Sequence, residues 1–536
     1  MANPAPAYFS IRGDSAVDSL TTGYYWRLDQ SRVVDFSISQ GFSGEYWNAP
    51  TQIARSMAIA LNTFSYYADV RFNYLGHFIN PLQAGQAGSE INLSIDGVNR
   101  FFSSINSWAI GFFPAPSYQT SHPGYATVAG DIYLNLRSAA NSLPSYEPGS
   151  QGWFLLLHEL GHALGLKHPH DSGGTARPTF AQLGIKRIDS DTTTIMSYND
   201  DANWNAFNWD PASPMILDVI ALQALYGKNQ QTNADNTVHK LSANNFYLTL
   251  WDASGIDTLD VSSNPSGWTV VMPNQGISSL VDTRVGIAAP TSDYIAALPH
   301  NLVWLAGDYE HIIGSRFSDQ LTGNDFNNVF FSNGGNDVIG GGNGIDTVVL
   351  GNSAVQYRIG REVNTALSKV VVANTSQPFD RHTLTSIERL QFTDTNLALD
   401  TSVHGHAGQA ILLLSAVLPR QLALSDSKLA LVGSVITLLD QGFTPNQLAG
   451  AALRLPIWDM LTEQNSPSAA DIASYLARNV YGSAVSAEVL NSAILQMSFE
   501  SDATQGNYLS SLALSTSNQE RINLVGINET GLEYLL

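Results

Sequence analysis

The sequence predicts a multidomain α+β protein, because three regions of different composition and periodicity follow one another along 536 residues. Residues 21–245 mix alternating aromatic-rich runs with helical periodicity, which is typical of an α+β domain. Residues 246–400 are rich in Gly, Asn, Asp, Thr and Val without a helical period, which predicts an all-β domain. Residues 401–536 repeat Ala, Leu and Ser at helical spacing, which predicts a C-terminal α-helical domain. Residues 1–20 are predicted to be a short propeptide or an N-terminal extension.

Charge and composition limit the classes of partner. Lys+Arg 25 against Asp+Glu 46 gives a net charge of −21, which argues against nucleic acid and anionic membranes as partners. The longest apolar run, "ILLLSAVL", is too short to span a bilayer. The chain has no cysteine, and its start lacks the pattern of a Sec-type signal peptide. We expect either a cytosolic protein or one exported without oxidative folding.

The segment "FLLLHELGHALGLKHPHD" carries the strongest chemical signal in the sequence. On a helix, His158 and His162 are four residues apart and project from one face, so they can bind one ion. Gly165 predicts a helix end in a left-handed conformation, after which the chain can return His168 to the same ion. The alternative is an ordinary core helix with surface histidines.

Three neutral imidazoles would leave one position of a tetrahedral zinc ion open for water, as in catalytic zinc sites. Glu159, next to the first ligand, is placed to act as general base on that water. Asp171 either orients a ligand imidazole or forms a turn. The run "SWAIGFFPAP" is either an edge strand that pairs with an extended substrate or a core strand. The tripeptide at 12–14, Arg-Gly-Asp, arises often by chance.

A nine-residue repeat covers residues 314–349 as GSRFSDQLT, GNDFNNVFF, SNGGNDVIG and GGNGIDTVV. Its sixth position holds Asp319, Asn328, Asp337 and Asp346. A nine-residue turn with one apolar residue cannot bury that residue alone, so the copies are expected to stack into a coil. The stacked aspartates would repel one another without a cation, and calcium with oxygen ligands is the natural one. A Gly/Asn-rich loop is the alternative.

Several motifs together resemble one known family. The extended motif H-E-x-x-H-x-x-G-x-x-H resembles that of the metzincin zinc endopeptidases, and "TTTIMSYND" supplies their methionine turn with Met196. The repeats match the calcium-binding nonapeptides of RTX proteins. The combination resembles the serralysin family over about residues 20–400. This resemblance implies a metzincin catalytic domain, a calcium-binding parallel β-roll, and a role for Tyr198 as fifth zinc ligand and oxyanion stabiliser.

The resemblance also implies calcium ligands outside the repeats. "WDASGIDTLD" resembles the family's calcium loop, and Asp308 with Glu310 stands where the family has Thr-x-Glu. The family's Arg-x-Gly-x-Thr segment appears here as "NADNT", which clearly keeps only Thr237. The implied calcium-binding residues are Asp252, Gly255, Asp257, Asp308, Glu310, Asp319, Asp337, Gly341, Gly342, Gly344 and Asp346.

The two ends of the chain bear on export. The last residues, "LEYLL", resemble the acidic and apolar tail by which serralysins are recognised by a type I secretion apparatus. With no cysteine and no N-terminal signal, this tail favours a secreted, extracellular bacterial protein, and the family resemblance implies a short propeptide within residues 1–20. Residues 401–536 resemble helical modules appended to bacterial secreted proteins, and their partner is unknown.

The sequence therefore predicts a secreted, monomeric, zinc-dependent endopeptidase that hydrolyses peptide bonds of protein substrates and is stabilised by calcium. His158, His162 and His168 would bind zinc, and Glu159 would be the general base. The rival is a calcium-dependent RTX surface or adhesion protein with a vestigial protease domain. Such a protein would be expected to have lost Glu159 or a ligand, and neither is lost.

Overall fold

A computed structural model of the chain gives two compact units, 1–311 (the N-terminal unit) and 312–536 (the C-terminal unit). The residues it describes are 5–8, 15–98, 100–102, 107–115, 128–137, 146–173, 176–199, 210–276, 283–294, 300–362, 369–423, 425–498 and 502–536. The tripeptide at 12–14 lies outside the described residues. Among the residues described, no helix is both long enough and apolar enough to cross a bilayer.

The N-terminal unit contains helices of very different length. Its α-helices are α1 (Ser15–Leu20), α2 (Pro50–Tyr67), α3 (Pro81–Gln86), α4 (Gln151–Ala163), α5 (Ile216–Tyr226) and α6 (Thr291–Tyr294). Helices α2, α4 and α5 bury apolar side chains in one shared core. Helix α1 contributes Ala16 and Leu20 to this core, and its Asp18 forms a buried ion pair of 3.1 Å with Arg177. The predicted N-terminal extension is therefore packed against the domain from residue 16 onwards.

A five-stranded mixed sheet is formed by strands of the first half of the N-terminal unit. The strands of the whole unit are β1 (Ala5–Tyr8), β2 (Tyr24–Arg27), β3 (Val33–Ser39), β4 (Arg71–Phe78), β5 (Ile91–Asp96), β6 (Ala109–Gly111), β7 (Ile132–Asn135), β8 (Val238–Lys240), β9 (Tyr247–Trp251), β10 (Thr258–Asp260), β11 (Trp268–Gly276), β12 (Arg284–Pro290) and β13 (Leu302–Ala306). The sheet has the order β4-β3-β5-β7-β6, with β6 antiparallel to β7 at its edge. Every residue of β5 and β7 is buried, as expected for interior strands covered on both faces.

From residue 238 onwards, the described residues of the N-terminal unit form strands and loops apart from the short α6. Strands β11, β12 and β13 form an antiparallel meander, and β9 adds to β13 in parallel. Strand β8 pairs in parallel with β10, which places His239 opposite Leu259. Tyr247 and Trp251 from β9 are buried in the same core as helices α2, α4 and α5.

The C-terminal unit begins with short strands that recur at the repeat spacing. Its strands are β14 (His311–Ile313, at the division between the units), β15 (Gln320–Thr322), β16 (Val329–Phe331), β17 (Val338–Gly340), β18 (Thr347–Val349), β19 (Tyr357–Glu362), β20 (Lys369–Asn374), β21 (Arg381–Thr385), β22 (Arg389–Gln391), β23 (Asn396–Ala398) and β24 (Leu532–Tyr534). Strand β15 pairs in parallel with β17, and β16 with β18, so alternate repeats stack on each other. The apolar residue at the eighth position of each repeat is buried: Leu321, Phe330, Ile339 and Val348.

The rest of the C-terminal unit is helical. Its helices are α7 (His406–Val417), α8 (Arg420–Ala423), α9 (Leu429–Asp440), α10 (Pro445–Ala452), α11 (Trp458–Thr462), α12 (Ala469–Tyr481), α13 (Ala487–Met497), α14 (Asp502–Ala513), α15 (Thr516–Ile522) and α16 (Leu524–Thr530). The chain then returns to the β region, where β24 pairs with β23. The side chain of Tyr534 is buried in a core shared with α7 and α9, whereas Leu536 is exposed.

The multidomain α+β prediction is confirmed, because mixed α/β sheets are followed by a C-terminal helical region. The assignments of a metzincin domain and of a β-roll, and the predicted domain boundaries at 245 and 400, stay predictions. The structure adds one feature that the sequence pattern did not indicate. The tail at 532–534 is a strand of a sheet and not a free extension.

Candidate metal centre

Helix α4 places the first two histidines on one face. It begins after Ser150, whose Oγ accepts a hydrogen bond from the backbone N–H of Trp153 and so satisfies one of the free donors of the first turn. His158 and His162 are one turn apart on this helix, and both are buried. The rings lie 4.8 Å apart between centroids. Their four-residue spacing therefore brings two imidazoles together, as predicted.

The third histidine depends on how the helix ends. Gly165 has φ +102°, and the backbone N–H groups of Gly165 and Leu166 donate to the carbonyls of His162 and Gly161 at 2.9 Å each. This is the Schellman arrangement, which confirms the predicted helix end. A Cβ at position 165 would lie 2.2 Å from the carbonyl oxygen of Tyr24, so no other residue fits. The reversal brings His168 back toward the helix.

The three imidazoles meet at their Nε2 atoms. His168 Nε2 lies 3.0 Å from His158 Nε2 and 3.0 Å from His162 Nε2. One ligand atom from each of the three lies within 4.8 Å of the others. Two nitrogens bound to one tetrahedral zinc ion at about 2.0–2.1 Å would be about 3.3 Å apart. The observed spacing therefore fits one zinc ion after small side-chain adjustments.

The Nδ1 atoms show why the Nε2 atoms are free to bind a metal. Each Nδ1 faces an oxygen acceptor: the Ile195 carbonyl at 2.7 Å from His158, the Leu166 carbonyl at 2.9 Å from His162, and Asp171 Oδ2 at 2.6 Å from His168. Since a carbonyl or carboxylate oxygen accepts, Nδ1 carries the proton in each neutral ring and the Nε2 lone pairs point toward one another. Three such lone pairs cannot hydrogen-bond to each other, and together they suit a metal cation.

Electrostatics keep the three rings neutral. Burial, followed by the charge of a neighbouring histidine, lowers the pKa of His158 and of His162 to about 3. Burial also lowers the pKa of His168 to about 4, although its hydrogen bond to Asp171 acts in the opposite direction. Ligand imidazoles must be unprotonated to bind a metal. These three rings therefore meet that requirement at neutral pH.

The loop after the helix is fixed by Lys167 and Asp171. Lys167 is fully buried, and its Nζ donates to the carbonyl oxygens of His168, Asp171 and Pro178 at 3.1, 2.7 and 3.3 Å. Asp171 has both roles that the sequence left open, because Oδ2 accepts from His168 and Oδ1 accepts from the Gly173 N–H at 2.6 Å. Sequence reasoning did not single out Lys167, since a lysine gives no sign of burial.

Glu159 lies beside the three histidines with an unpaired oxygen. It is 5% exposed, and its Oε2 is buried without a hydrogen-bond partner. Burial raises the pKa of Glu159 to about 8, and the backbone N–H of Gly111 offsets part of this shift. A Cβ at Gly111 would lie 2.9 Å from Glu159 Oε2 and 2.6 Å from the Glu159 carbonyl oxygen. Sequence reasoning missed Gly111, whose only signal was a glycine inside an apolar run.

The predicted methionine turn lies under the helix. Met196 is fully buried, and a Cβ at Gly161 would lie 2.7 Å from its Sδ, so helix and turn approach each other at a glycine. The turn is held by Asp218 of α5, which accepts hydrogen bonds from Thr194 Oγ1 at 2.6 Å and from the Ile195 N–H at 2.7 Å. Asp218 is the single charged residue of α5, and this signal was available in the sequence.

Tyr198 stands at the open side of the site. Its ring centroid lies 4.4 Å from that of His168 and 5.4 Å from that of His158, and the residue is 59% exposed. Desolvation, followed by the charges of Glu159 and Asp171, raises the pKa of the Tyr198 phenol. The phenol therefore stays protonated and able to donate a hydrogen bond. His170, exposed, stacks on His168 at 5.0 Å between centroids.

A cleft of about 550 Å³ opens onto His158, Glu159 and Tyr198. Its other lining residues are Ser107, Trp108, Ala109, Phe154, Leu155 and Ser197. One wall of the cleft is β6, which lies at the edge of the five-stranded sheet. Of the two alternatives for the run "SWAIGFFPAP", an edge strand or a core strand, this position matches the edge strand. Ladder bonds to β7 use the Trp108 carbonyl and the Phe112 N–H, and such bonds alternate along an antiparallel strand. The backbone of Ala109 therefore faces away from β7.

The predicted calcium residues of the N-terminal unit gather around two carboxylates. Asp252 and Asp257 are fully buried, and a ligand atom of each lies within 4.8 Å of the other and of one from His239. Glu310 Oε2 accepts the backbone N–H of Asp257 at 2.7 Å. Gly255, at φ +146°, approaches the Asp257 carboxylate. Burial raises the pKa of Glu310, and the charges of Asp257 and Asp308 add to this shift.

In the C-terminal unit the repeat aspartates form two rows. Asp337 Oδ1 accepts the backbone N–H of Asp319 at 2.9 Å, and Asp346 Oδ1 accepts that of Asn328 at 2.8 Å. Glycines of the fourth repeat allow close approach to neighbouring coils: Gly341 to Ser386, Gly342 to Asn324 and Gly344 to Phe326. Sequence reasoning missed His382, whose ring nitrogens lie 3.0 Å from Asp337 Oδ2 and 2.8 Å from Asp380 Oδ1.

Three imidazoles, a buried carboxylate and an adjoining cleft are the arrangement of a hydrolytic metal site. No protein-family model matches the chain. A serralysin of Photorhabdus luminescens is 30% identical over 244 residues, 42% of this chain and 45% of that protein. Serralysin B of Dickeya chrysanthemi is 25% identical over 300 residues, which are 48% of this chain and 58% of that protein. The metalloprotease AprA of Pseudomonas entomophila is 26% identical over 232 residues, which are 38% of this chain and 45% of that protein.

The chain thus spans about half the length of the curated relatives it matches. Over that part it is related to the serralysins.

Proposed function

We propose that the protein is a secreted zinc endopeptidase of serralysin type. The observation that carries this proposal is the convergence of three unprotonated Nε2 atoms next to the buried, unpaired Oε2 of Glu159. The named relatives, among them a metalloprotease, point to the same chemistry. The intact ligands and base count against a vestigial protease domain in an adhesion protein.

Zinc bound by the three histidines would polarise a substrate carbonyl and lower the pKa of a water molecule. Glu159 takes a proton from the attacking water and passes it to the leaving amine. The protonated phenol of Tyr198 donates a hydrogen bond to the substrate oxygen that gains negative charge. Asp171 and the carbonyls of Leu166 and Ile195 hold the imidazoles in the ligand tautomer.

The cleft suits an extended peptide. Because the backbone of Ala109 faces away from β7, an extended substrate can add to the sheet edge as a further strand. Main-chain hydrogen bonds of this kind give affinity without dependence on one side chain. The apolar wall formed by Trp108, Phe154 and Leu155 would receive substrate side chains.

We further propose that calcium stabilises the repeat coils. Asp346 is fully buried, and its Oδ2 has no hydrogen-bond partner. Burial, followed by the charge of Glu388, raises the pKa of Asp346 to about 7. A bound cation would stabilise the ionised form of this carboxyl group. Oxygen donors of this kind suit calcium. Export as an unfolded chain through a type I secretion apparatus, followed by folding at extracellular calcium, is consistent with these properties.

Casein digestion by the purified protein, with and without a zinc chelator, tests the proposed function. We expect activity to disappear with the chelator and to return when zinc is added back, but not when calcium alone is added. A calcium-selective chelator is the matched control. Digestion that continues in zinc-free protein would overturn the proposal.

A further inference from the structure

A cavity of about 310 Å³ lies within the C-terminal unit, where strands of the β region meet helix α16. Arg361 of β19, Leu384 of β21 and Asn528 of α16 contribute to its lining. Ser402, which also lines the cavity, is exposed, so the cavity opens to solvent on that side. The proposed hydrolysis of peptide bonds uses none of these residues.

Arg361 brings a positive charge into the cavity. Its Nη2 donates to the Leu399 carbonyl at 2.8 Å, whereas its Nε is buried and has no hydrogen-bond partner. Among the described residues, no carboxylate forms an ion pair with Arg361. The Asp400 carboxylate in the same lining is occupied, because it accepts hydrogen bonds from Arg389 and from the backbone N–H of His406. The Arg361 guanidinium therefore suits a carboxylate that comes from outside the chain.

The same cavity offers acceptors for a positively charged group. Asn528 Oδ1 is buried and has no hydrogen-bond partner, although buried polar atoms are rarely left unpaired in folded proteins. Glu388 also lines the cavity, and its Oε2 accepts the backbone N–H of Asp346 at 2.9 Å. Burial raises the pKa of Glu388, and the charge of Asp400 adds to this shift. A cationic group in the cavity would favour the ionised form of Glu388.

The remaining lining is aliphatic and buried: Val370, Leu384, Ile387 and Leu399. We propose that the cavity binds a free aliphatic α-amino acid, such as leucine. Its carboxylate pairs with Arg361, its ammonium group donates to Asn528 Oδ1 in the negative field of Glu388, and its side chain packs against the aliphatic residues. An acid without an amino group would leave the Asn528 oxygen unpaired, and an amine without a carboxylate would leave Arg361 unpaired. A zwitterion satisfies both.

Isothermal titration calorimetry of the full chain with L-leucine tests this proposal. The protein would carry Glu159→Gln to prevent self-digestion, with millimolar calcium present so that the repeat coils stay in one state. Leucine should bind at one site per chain. Isocaproate lacks only the amino group of leucine, and isoamylamine lacks only its carboxylate. Each should bind about 10–100-fold more weakly, because each loses the hydrogen bonds of one charged group.

Variants of the cavity locate the bound amino acid. Arg361→Gln and Asn528→Leu should each weaken leucine binding by about 10–100-fold. Arg358→Gln, at an exposed arginine of the same strand, is the matched control and should leave the affinity unchanged. Absence of leucine binding, or binding that Arg361→Gln does not weaken, would overturn the proposal. Isocaproate that binds as tightly as leucine would overturn it too, and this comparison decides the matter if Arg361→Gln does not fold.

Discussion

Histidine has opposite roles in the two units of the molecule. In the N-terminal unit, burial holds the pKa of His158 and of His162 at about 3, and each ring faces a carbonyl with one nitrogen and a neighbouring imidazole with the other. In the C-terminal unit, His382 is equally buried, but both of its ring nitrogens face carboxylates, Asp337 and Asp380. Burial lowers its pKa, yet the two carboxylates outweigh burial and raise it to about 9.

The difference shows that burial alone does not decide what a histidine does. A ring between neutral acceptors stays neutral and offers a lone pair to a metal, whereas a ring between two carboxylates becomes an imidazolium. His168 is intermediate, because one carboxylate, Asp171, faces one of its nitrogens and its pKa is still lowered to about 4. His382 thus supplies a positive charge at Asp337, where stacked repeats would otherwise need an ion.

Removing the imidazolium should have the largest effect. His382→Gln leaves Asp337 and Asp380 buried without a cation, so we expect the free energy of unfolding of the C-terminal unit to fall by about 3–5 kcal/mol. Urea unfolding followed by circular dichroism would measure it. His404→Gln, at an exposed histidine of the same unit, should change stability by less than about 0.5 kcal/mol. Equal stability of the two variants would contradict the role given to His382.

Removal of the Tyr198 hydroxyl should have the next largest effect, on the catalytic rate and not on stability. Tyr198→Phe removes one hydrogen-bond donor to the developing negative charge, and we expect kcat to fall by about 10²–10³-fold with little change in KM. Steady-state kinetics on a fluorogenic peptide would measure both constants. Unchanged kcat would make Tyr198 a packing residue beside the imidazoles.

A smaller loss should come from crowding the base. Gly111→Ala puts a methyl group 2.9 Å from Glu159 Oε2 and 2.6 Å from the Glu159 carbonyl, so the carboxylate must shift. A displacement on this scale costs on the order of 10²-fold in rate. Zinc content should not change, since the three imidazoles keep their acceptors. Full activity of Gly111→Ala would show that the approach of β6 does not position the base.

Asp171→Asn should have the smallest effect, and it tests the intermediate histidine, His168. Asp171→Asn removes the charge beside His168 but leaves an acceptor for Nδ1, so zinc affinity should fall by about 10–100-fold. Competition with a chromophoric chelator would measure the affinity. An affinity equal to that of the parent protein would mean that the charge of Asp171 is irrelevant and that its turn with Gly173 is its whole function.

Local rules explain what could be predicted from the sequence. The spacing of His158 and His162, the glycine at the helix end and the nine-residue repeat each follow from short-range geometry. The partners of Gly111, Asp218 and His382 could not be predicted, because each of these residues acts on a segment far away in sequence that only the fold brings near. The same limit applies to the tail, where the pairing of β24 with β23 joins segments on either side of the helical region.

Glu159→Gln tests the central claim most directly. The amide keeps the size of the side chain and leaves all three imidazoles in place, but it cannot accept a proton from water. We expect one zinc ion to remain at the His158, His162 and His168 site, while casein cleavage falls by about 10²–10⁴-fold. Zinc content and cleavage rate would be measured on the same preparation. Activity within about tenfold of the parent protein, with zinc still bound, would contradict the account.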